Sequence, residues 1–368
     1  MNPVIASMIP LVCRPKPPGL PLTDRITKLT ALTVQPPDAG HHQLVARASG
    51  VLNYAALIAS DVGLPDLAAA LCWRQHRIFA EAGHLDQDTA VMALMPLVNI
   101  ARLLIREGDG GSAFDILQRL YQAAQQRGTT VIADHDIDFG PLIQTDDDHR
   151  KICTELWITV LTDGARALAR QGRWIEAADA LATHRGIGNR LLDGRQIKIM
   201  SLLEQGRTQQ AIETVESSSP TEPWETAVAE ILLISCHPKA PSALDHVVSQ
   251  TLTLIGRYEP TTAAFRTRLA LATLDLTTNR PHCGTAELRD ATVQVASTDS
   301  YAARDVLAHS VVRAQLRAGQ EQTLAAVLAL SGLGSKTLSE PQMEVFSRAG
   351  RTAEGQLRNL LARRPRTV

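Results

Sequence analysis

A repeated turn constrains this chain more than any other feature. Gln171-Gly172-Arg173-Trp174-Ile175-Glu176-Ala177-Ala178 and Gln205-Gly206-Arg207-Thr208-Gln209-Gln210-Ala211-Ile212 each end one helical pattern and begin another. Gly172 and Gly206 are 34 residues apart, and so are Ala177 and Ala211. Glycine lets the backbone reverse without a Cβ penalty, and the small alanine lets the second helix approach the first. One helical hairpin cannot bury its apolar face, so hairpins recurring at this spacing must stack. The expected fold is all-α.

Composition agrees. Hydrophobic residues make up 45% of the 368, enough for a core, which excludes global disorder. Aromatics are only 4%, which suits close helix packing better than sheets. A net charge of −1 makes no case for nucleic acid or a membrane surface as partner. Cys13, Cys72, Cys153, Cys236 and Cys283 are odd in number and form no CxxC, so neither a disulfide framework nor structural zinc is expected, and a reducing cytoplasm is the natural compartment. No uninterrupted apolar run reaches the roughly 18–20 residues that span a bilayer. The apolar stretch Val4–Cys13 has no preceding basic residue and is broken by Pro10, which argues against a secretory leader.

Along the chain, residues 1–40 read as a Pro-rich arm. Arg14-Pro15-Lys16-Pro17-Pro18-Gly19-Leu20-Pro21 is extended or polyproline II, expected to lie on the first hairpin or to dock in a groove of another protein, and Thr23–Thr33 adds a short helix. Residues 41–128 hold the N-terminal hairpins, with turns at Gly63 and Gly108 and a helix capped by Asp86 or Asp88. Residues 129–150 form an acidic insertion loop, extended at first, with Asp134, His135, Asp136, Asp138, Asp146, Asp147, Asp148 and His149. Residues 151–335 carry the repeat array, ending in a hairpin of Ala302–Ala318 and Thr323–Leu330 that turns at Gly319. Residues 336–368 are a C-terminal capping helix, from Gln342, and a basic tail.

The Gly172–Ala177 segment resembles the inter-helix signature of tetratricopeptide repeats, in which a Gly, an aromatic two residues later and a small Ala three further on join helix A to helix B. Gly172, Trp174 and Ala177 match, with Leu181 beyond and Leu161, Ala165 and Leu168 in helix A. Gly206, Ala211 and Val215 keep the spacing with Thr208 in place of the aromatic; Gly108, Ala113 and Leu117 match, as do Gly63, Ala68 and Cys72. Gly319 and Leu328 match with Leu324 at the small position. The hinge intervals of 45 residues (Gly63 to Gly108) and 64 (Gly108 to Gly172) make the array degenerate. The resemblance implies a right-handed α-solenoid of stacked antiparallel hairpins that binds a protein or peptide in its groove.

Arginines stand six and two residues before three hinges: Arg102 and Arg106, Arg166 and Arg170, Arg313 and Arg317. The i, i+4 spacing puts each pair on one helix face. In the resembling family these helix-A positions line the groove, and a guanidinium fork suits carboxylate or phosphate. The alternative is that they stabilise helix C-termini and pair with nearby acids.

There is no Walker loop, GxGxxG, HExxH or GxSxG. The acidic insertion matches no metal-ligand template, and His237 beside Cys236 and His282 beside Cys283 read as turn residues next to thiols. The expectation is therefore a non-catalytic scaffold or adaptor with no cofactor and no metal. Its partner would be another protein or peptide, an acidic one included, and self-association fits too. The alternatives are a regulatory sensor of a small peptide or anionic ligand, like the helical ligand-binding parts of some bacterial transcription regulators, and an all-α enzyme using the insertion.

Overall fold

In the computed structural model, residues 3–236, 241–278 and 284–362 are described. His237, His282, Cys283 and the basic tail beyond 362 lie outside them. The described chain is helical apart from one β-hairpin. It divides into two compact units: Met1–Pro21 with Leu168–Ser331, and Leu22–Ala167 with Gly332–Val368. This division cuts across the expected boundary at residue 40.

The chain begins in the first unit with α1 (Pro3–Met8) and an extended arm. It then builds the second unit from α2 (Leu22–Leu32), α3 (His41–Val62), α4 (Pro65–Ala82), α5 (Gln87–Glu107), α6 (Gly110–Gln125), the hairpin β1 (Thr129–Ile132) and β2 (His135–Asp138), and α7 (Asp146–Thr159). A wide π-helical turn, Val160–Gly164, leads into α8 (Ala165–Arg170), where the units meet in sequence. The first unit resumes with α9 (Trp174–Thr183), α10 (Asp193–Glu204), α11 (Thr208–Glu216), α12 (Pro223–Cys236), α13 (Pro241–Ile255), α14 (Ala263–Thr277), α15 (Thr285–Ala296), α16 (Ser300–Ala308), α17 (Ser310–Arg313) and α18 (Ala318–Ser331). The last helix, α19 (Glu340–Ala362), returns to the second unit.

The hinges form as their residues dictate. Gly172 and Gly206 sit at φ 75° and 72°, left-handed, with no side chain near enough to crowd them, so backbone conformation alone selects glycine there. Asp86 starts α5 by accepting from Thr89 N, and Asp109 starts α6 by accepting from Ser112 N. α5 then buries Ala90, Ala93, Leu94, Leu97, Val98 and Ala101, a stripe at helical spacing. A leucine as enclosed as Leu97 or Leu52 contributes roughly 2 kcal/mol from apolar burial. By length and composition α5 could also cross a membrane, although no uninterrupted apolar run of that length exists; half of its most apolar window is buried. It is the only such helix among the described residues.

Three expectations are corrected. The arm does not lie on the first hairpin: the side chain of Gln196 on α10 brackets Leu11, accepting from its N–H and donating to its carbonyl, both at 2.8 Å, and Arg14 pairs with Asp193. Gly319 is no turn but lies in the first turn of α18. The turn comes just before it, at residues 314–317, and a further break falls at His309, whose backbone is extended and whose buried Nδ1 accepts from Val312 N to start α17. Thr129–Asp138 of the insertion is not a loop but a hairpin with a two-residue turn through Ala133 and Asp134, both at positive φ, and from Asp146 the insertion is already α7. Finally, α19 packs on α2, α3 and α4, burying Phe346, Ala349, Ala353 and Leu357 along one face.

Candidate partner-binding surface

The six arginines are each engaged within the chain. Arg102 donates from Nε to Asp163 Oδ2 at 2.8 Å, and Arg106 reaches Asp61 Oδ1 at 2.7 Å and Ser60 Oγ at 2.8 Å. Arg313 pairs with Glu321 at 2.8 Å and Arg317 with Asp290 at 3.3 Å. Arg166 and Arg170 are engaged within the chain as well. Because α17 ends at Arg313 and Arg317 lies in the connection to α18, that pair does not share a helix face as the i, i+4 spacing predicts. Arg102, Arg106 and Arg166 belong to the second unit, and Arg170, Arg313 and Arg317 to the first. Such half-exposed pairs are worth about 0–1 kcal/mol each. Replacing Arg102 or Arg313 by alanine should lower the unfolding free energy, read from urea titration, by no more than that, and a larger loss would mean that the ion pairs organise the fold.

Other arginines serve helix ends. Arg47 donates to Leu32 O and Ala31 O at the end of α2. Arg195 donates to Thr214 O and to two serine hydroxyls at the end of α11, and Arg266 reaches Ile255 O at 2.5 Å at the end of α13. Each satisfies carbonyls that a helix terminus leaves without partners and sets a cation against the negative end of the dipole.

The acidic insertion disperses its charges. Asp146 pairs with Arg127 and Asp147 with Arg150. Asp148 and Thr145 cap α7 reciprocally, and Asp138 accepts from Gly140 N at 2.8 Å. His149 meets Gln125 O. Among the described residues no three His, Cys, Asp or Glu side chains form a metal-binding group. What the hairpin does is dock. His135 lies on Trp73 of α4, ring centroids 3.9 Å apart, and Trp73 meets His76 edge-on at 6.1 Å.

His76 is thereby largely enclosed, with no hydrogen bond to its Nδ1. Burial, helped by the charge of His135, pushes its pKa from 6.5 down to about 4. The folded state therefore holds a neutral imidazole, whereas the unfolded chain takes up a proton below 6.5. This contribution is complete above pH 6.5 and is lost as the pH falls toward 4. Urea midpoints of the wild type should fall across that window, and His76→Phe should flatten the fall. Parallel curves would show that His76 is not the group responsible.

An apolar groove of about 560 Å³ runs between α2 and α19 in the second unit, lined by Ile26, Thr27, Thr30, Ala31, Pro341 and Val345. No protein family, no curated protein and no solved structure matches the chain.

Proposed function

We propose that this chain is a non-catalytic binding module, a degenerate array of tetratricopeptide-like helical hairpins forming a right-handed α-solenoid that takes a peptide or protein segment. The observation that carries the reading is the set of hinges: Gly63, Gly108, Gly172 and Gly206 all adopt the left-handed conformation between consecutive helices. Packing supports it. In the second unit α3 touches α5 and α5 touches α7; in the first, α12 touches α14, α13 touches α15, and α14 touches α16. Contacts between alternate helices are what stacked hairpins make. Four described cysteines are free, consistent with a cytoplasmic setting.

Since Arg102 and Arg106 already hold acids, a carboxylate on a partner would have to exchange with Asp163 or Asp61. The groove between α2 and α19 has no such competition, and its lining suits the apolar face of a short helix. The test is a displayed peptide library selected on the full chain. One recurrent motif should be enriched, bind at about micromolar Kd, and lose affinity to Ala31→Trp, a substitution of an exposed residue. Failure to enrich any motif would overturn the binding-module reading. Motifs that bind Ala31→Trp unchanged but lose Arg102→Ala would move the site to the arginines.

A further inference from the structure

Around Tyr301, in the first unit, three cations, Lys16, Arg268 and Arg304, gather about two carboxylates, Asp299 and Asp305. The proline-rich arm is pinned on both sides of Lys16: Lys16 N donates to Thr261 O at 2.9 Å, Gly19 N to Asp299 Oδ2 at 2.8 Å, and Ser300 N to Gly19 O at 3.0 Å. An added Cβ on Gly19 would come within 2.9 Å of the Ser300 nitrogen, so glycine is needed for this close approach. The bonds fix Lys16 over Tyr301, with Nζ 4.3 Å from the ring centroid, and Arg304 Cζ lies 5.9 Å from the same centroid.

Arg268 and Arg304 share Asp305, at 2.6 Å and 3.1 Å. Asp299 is turned inward, its two oxygens accepting from Gly19 N and Ala302 N. Among the described residues Lys16 has no carboxylate within 4.0 Å. Lys16 and Arg304 stay open to solvent above the buried ring. Packing against the arm's neighbours, then the charge of Arg268, lowers the Lys16 ammonium to about 8, although the residue as a whole remains exposed. Asp299 and Asp305 offset two of the three cationic charges and leave one for an anion to meet.

We propose that Lys16, Arg268 and Arg304 form a binding site for a phosphate group, carried by a small molecule or by a phosphorylated residue. A guanidinium supplies a fork of donors and the ammonium a compact charge, the pairing that phosphate oxygens accept well. The backbone bonds of the arm preorganise the lysine, so little ordering is needed when the anion arrives. The site is separate from the groove between α2 and α19, and its test is independent of peptide binding.

The experiment follows the Lys16 Cε resonance of the full chain labelled with ¹³C-lysine, assigned by loss of the signal in Lys16→Gln. Inorganic phosphate, O-phosphoserine and acetate are titrated separately at constant ionic strength. The expected result is a saturable shift with half-saturation at about 1 mM for a phosphate compound and none for acetate. The phosphate compound that binds more tightly identifies the source. Arg304→Gln should weaken binding about tenfold, while Lys28→Gln, in the other unit, should not alter it. Absence of a saturable phosphate response overturns the proposal, and so does a response that Arg304→Gln leaves unchanged.

Discussion

Replacing Asp61 by alanine should destabilise the second unit by about 3–5 kcal/mol, read from urea unfolding of a chain in which Trp73 reports the transition. Asp61 Oδ2 accepts from Arg25 Nη2 at 2.7 Å, and the two side chains are 5% and 2% exposed. Without the carboxylate Arg25 stays buried beside Tyr54 as a charge that has lost Asp61. That penalty, rather than the worth of the ion pair, sets the size of the loss. The same carboxylate also holds Arg106, but Arg106 is 42% exposed and can turn to water, so Arg106→Ala should cost less than about 1 kcal/mol. The double variant Arg25→Met, Asp61→Leu removes both charges together and should recover most of the stability. A single-variant loss below about 1 kcal/mol would show that the pair does not fasten α2 to α3.

Asp61 shows where a linear reading of this sequence stops. It lies in the last turn of α3, next to the Gly63 hinge, and nothing near it in sequence announces Arg25 from 36 residues upstream or Arg106 from 45 downstream. The helical elements were legible because period and punctuation are local: apolar stripes at helical spacing, Asp86 as a cap, Gly63 and Gly172 as hinges. The acid partners of the arginines were not, since Asp163 lies 61 residues from Arg102. The break at His309 was hidden for a similar reason. The apolar pattern runs through Ala308 to Val312, and the helix divides because His309 turns inward to Asp275, Nε2 to Oδ2 3.1 Å, while its other nitrogen caps α17. The proline run was rightly seen as non-helical, but only tertiary packing shows that Gln196 and Asp193 hold it. The all-α class was thus available from the residues, whereas the pairing of the candidate arginines and the cluster at Tyr301 depended on long-range contacts.

The second large effect lies in the first unit. Glu225 is completely buried, yet it is a carboxylate. It accepts from Arg190 through Nε at 3.2 Å and through Nη2, from Leu191 N at 3.3 Å and from Thr221 Oγ1 at 3.1 Å, so one side chain fastens the turn before α10 to the start of α12. Burial alone would raise its pKa, but the bonds from Arg190 and Thr221 outweigh it and hold the carboxyl below its ordinary 4.5. A depressed carboxylate stabilises the fold above its unfolded pKa and ceases to do so as the pH falls. Glu225→Gln, which turns an amide toward Arg190, should therefore cost about 1.5–3 kcal/mol at neutral pH, and the gap from wild type should close below pH 4.5. His76 loses its contribution earlier, between pH 6.5 and 4, and sits in the other unit. On acid titration the Trp73 signal should accordingly begin to fall before that of Trp224, which stacks edge-on with Phe265 at 5.7 Å beside Glu225. The reverse order would mean that the neutral imidazole is not what makes the second unit acid-sensitive.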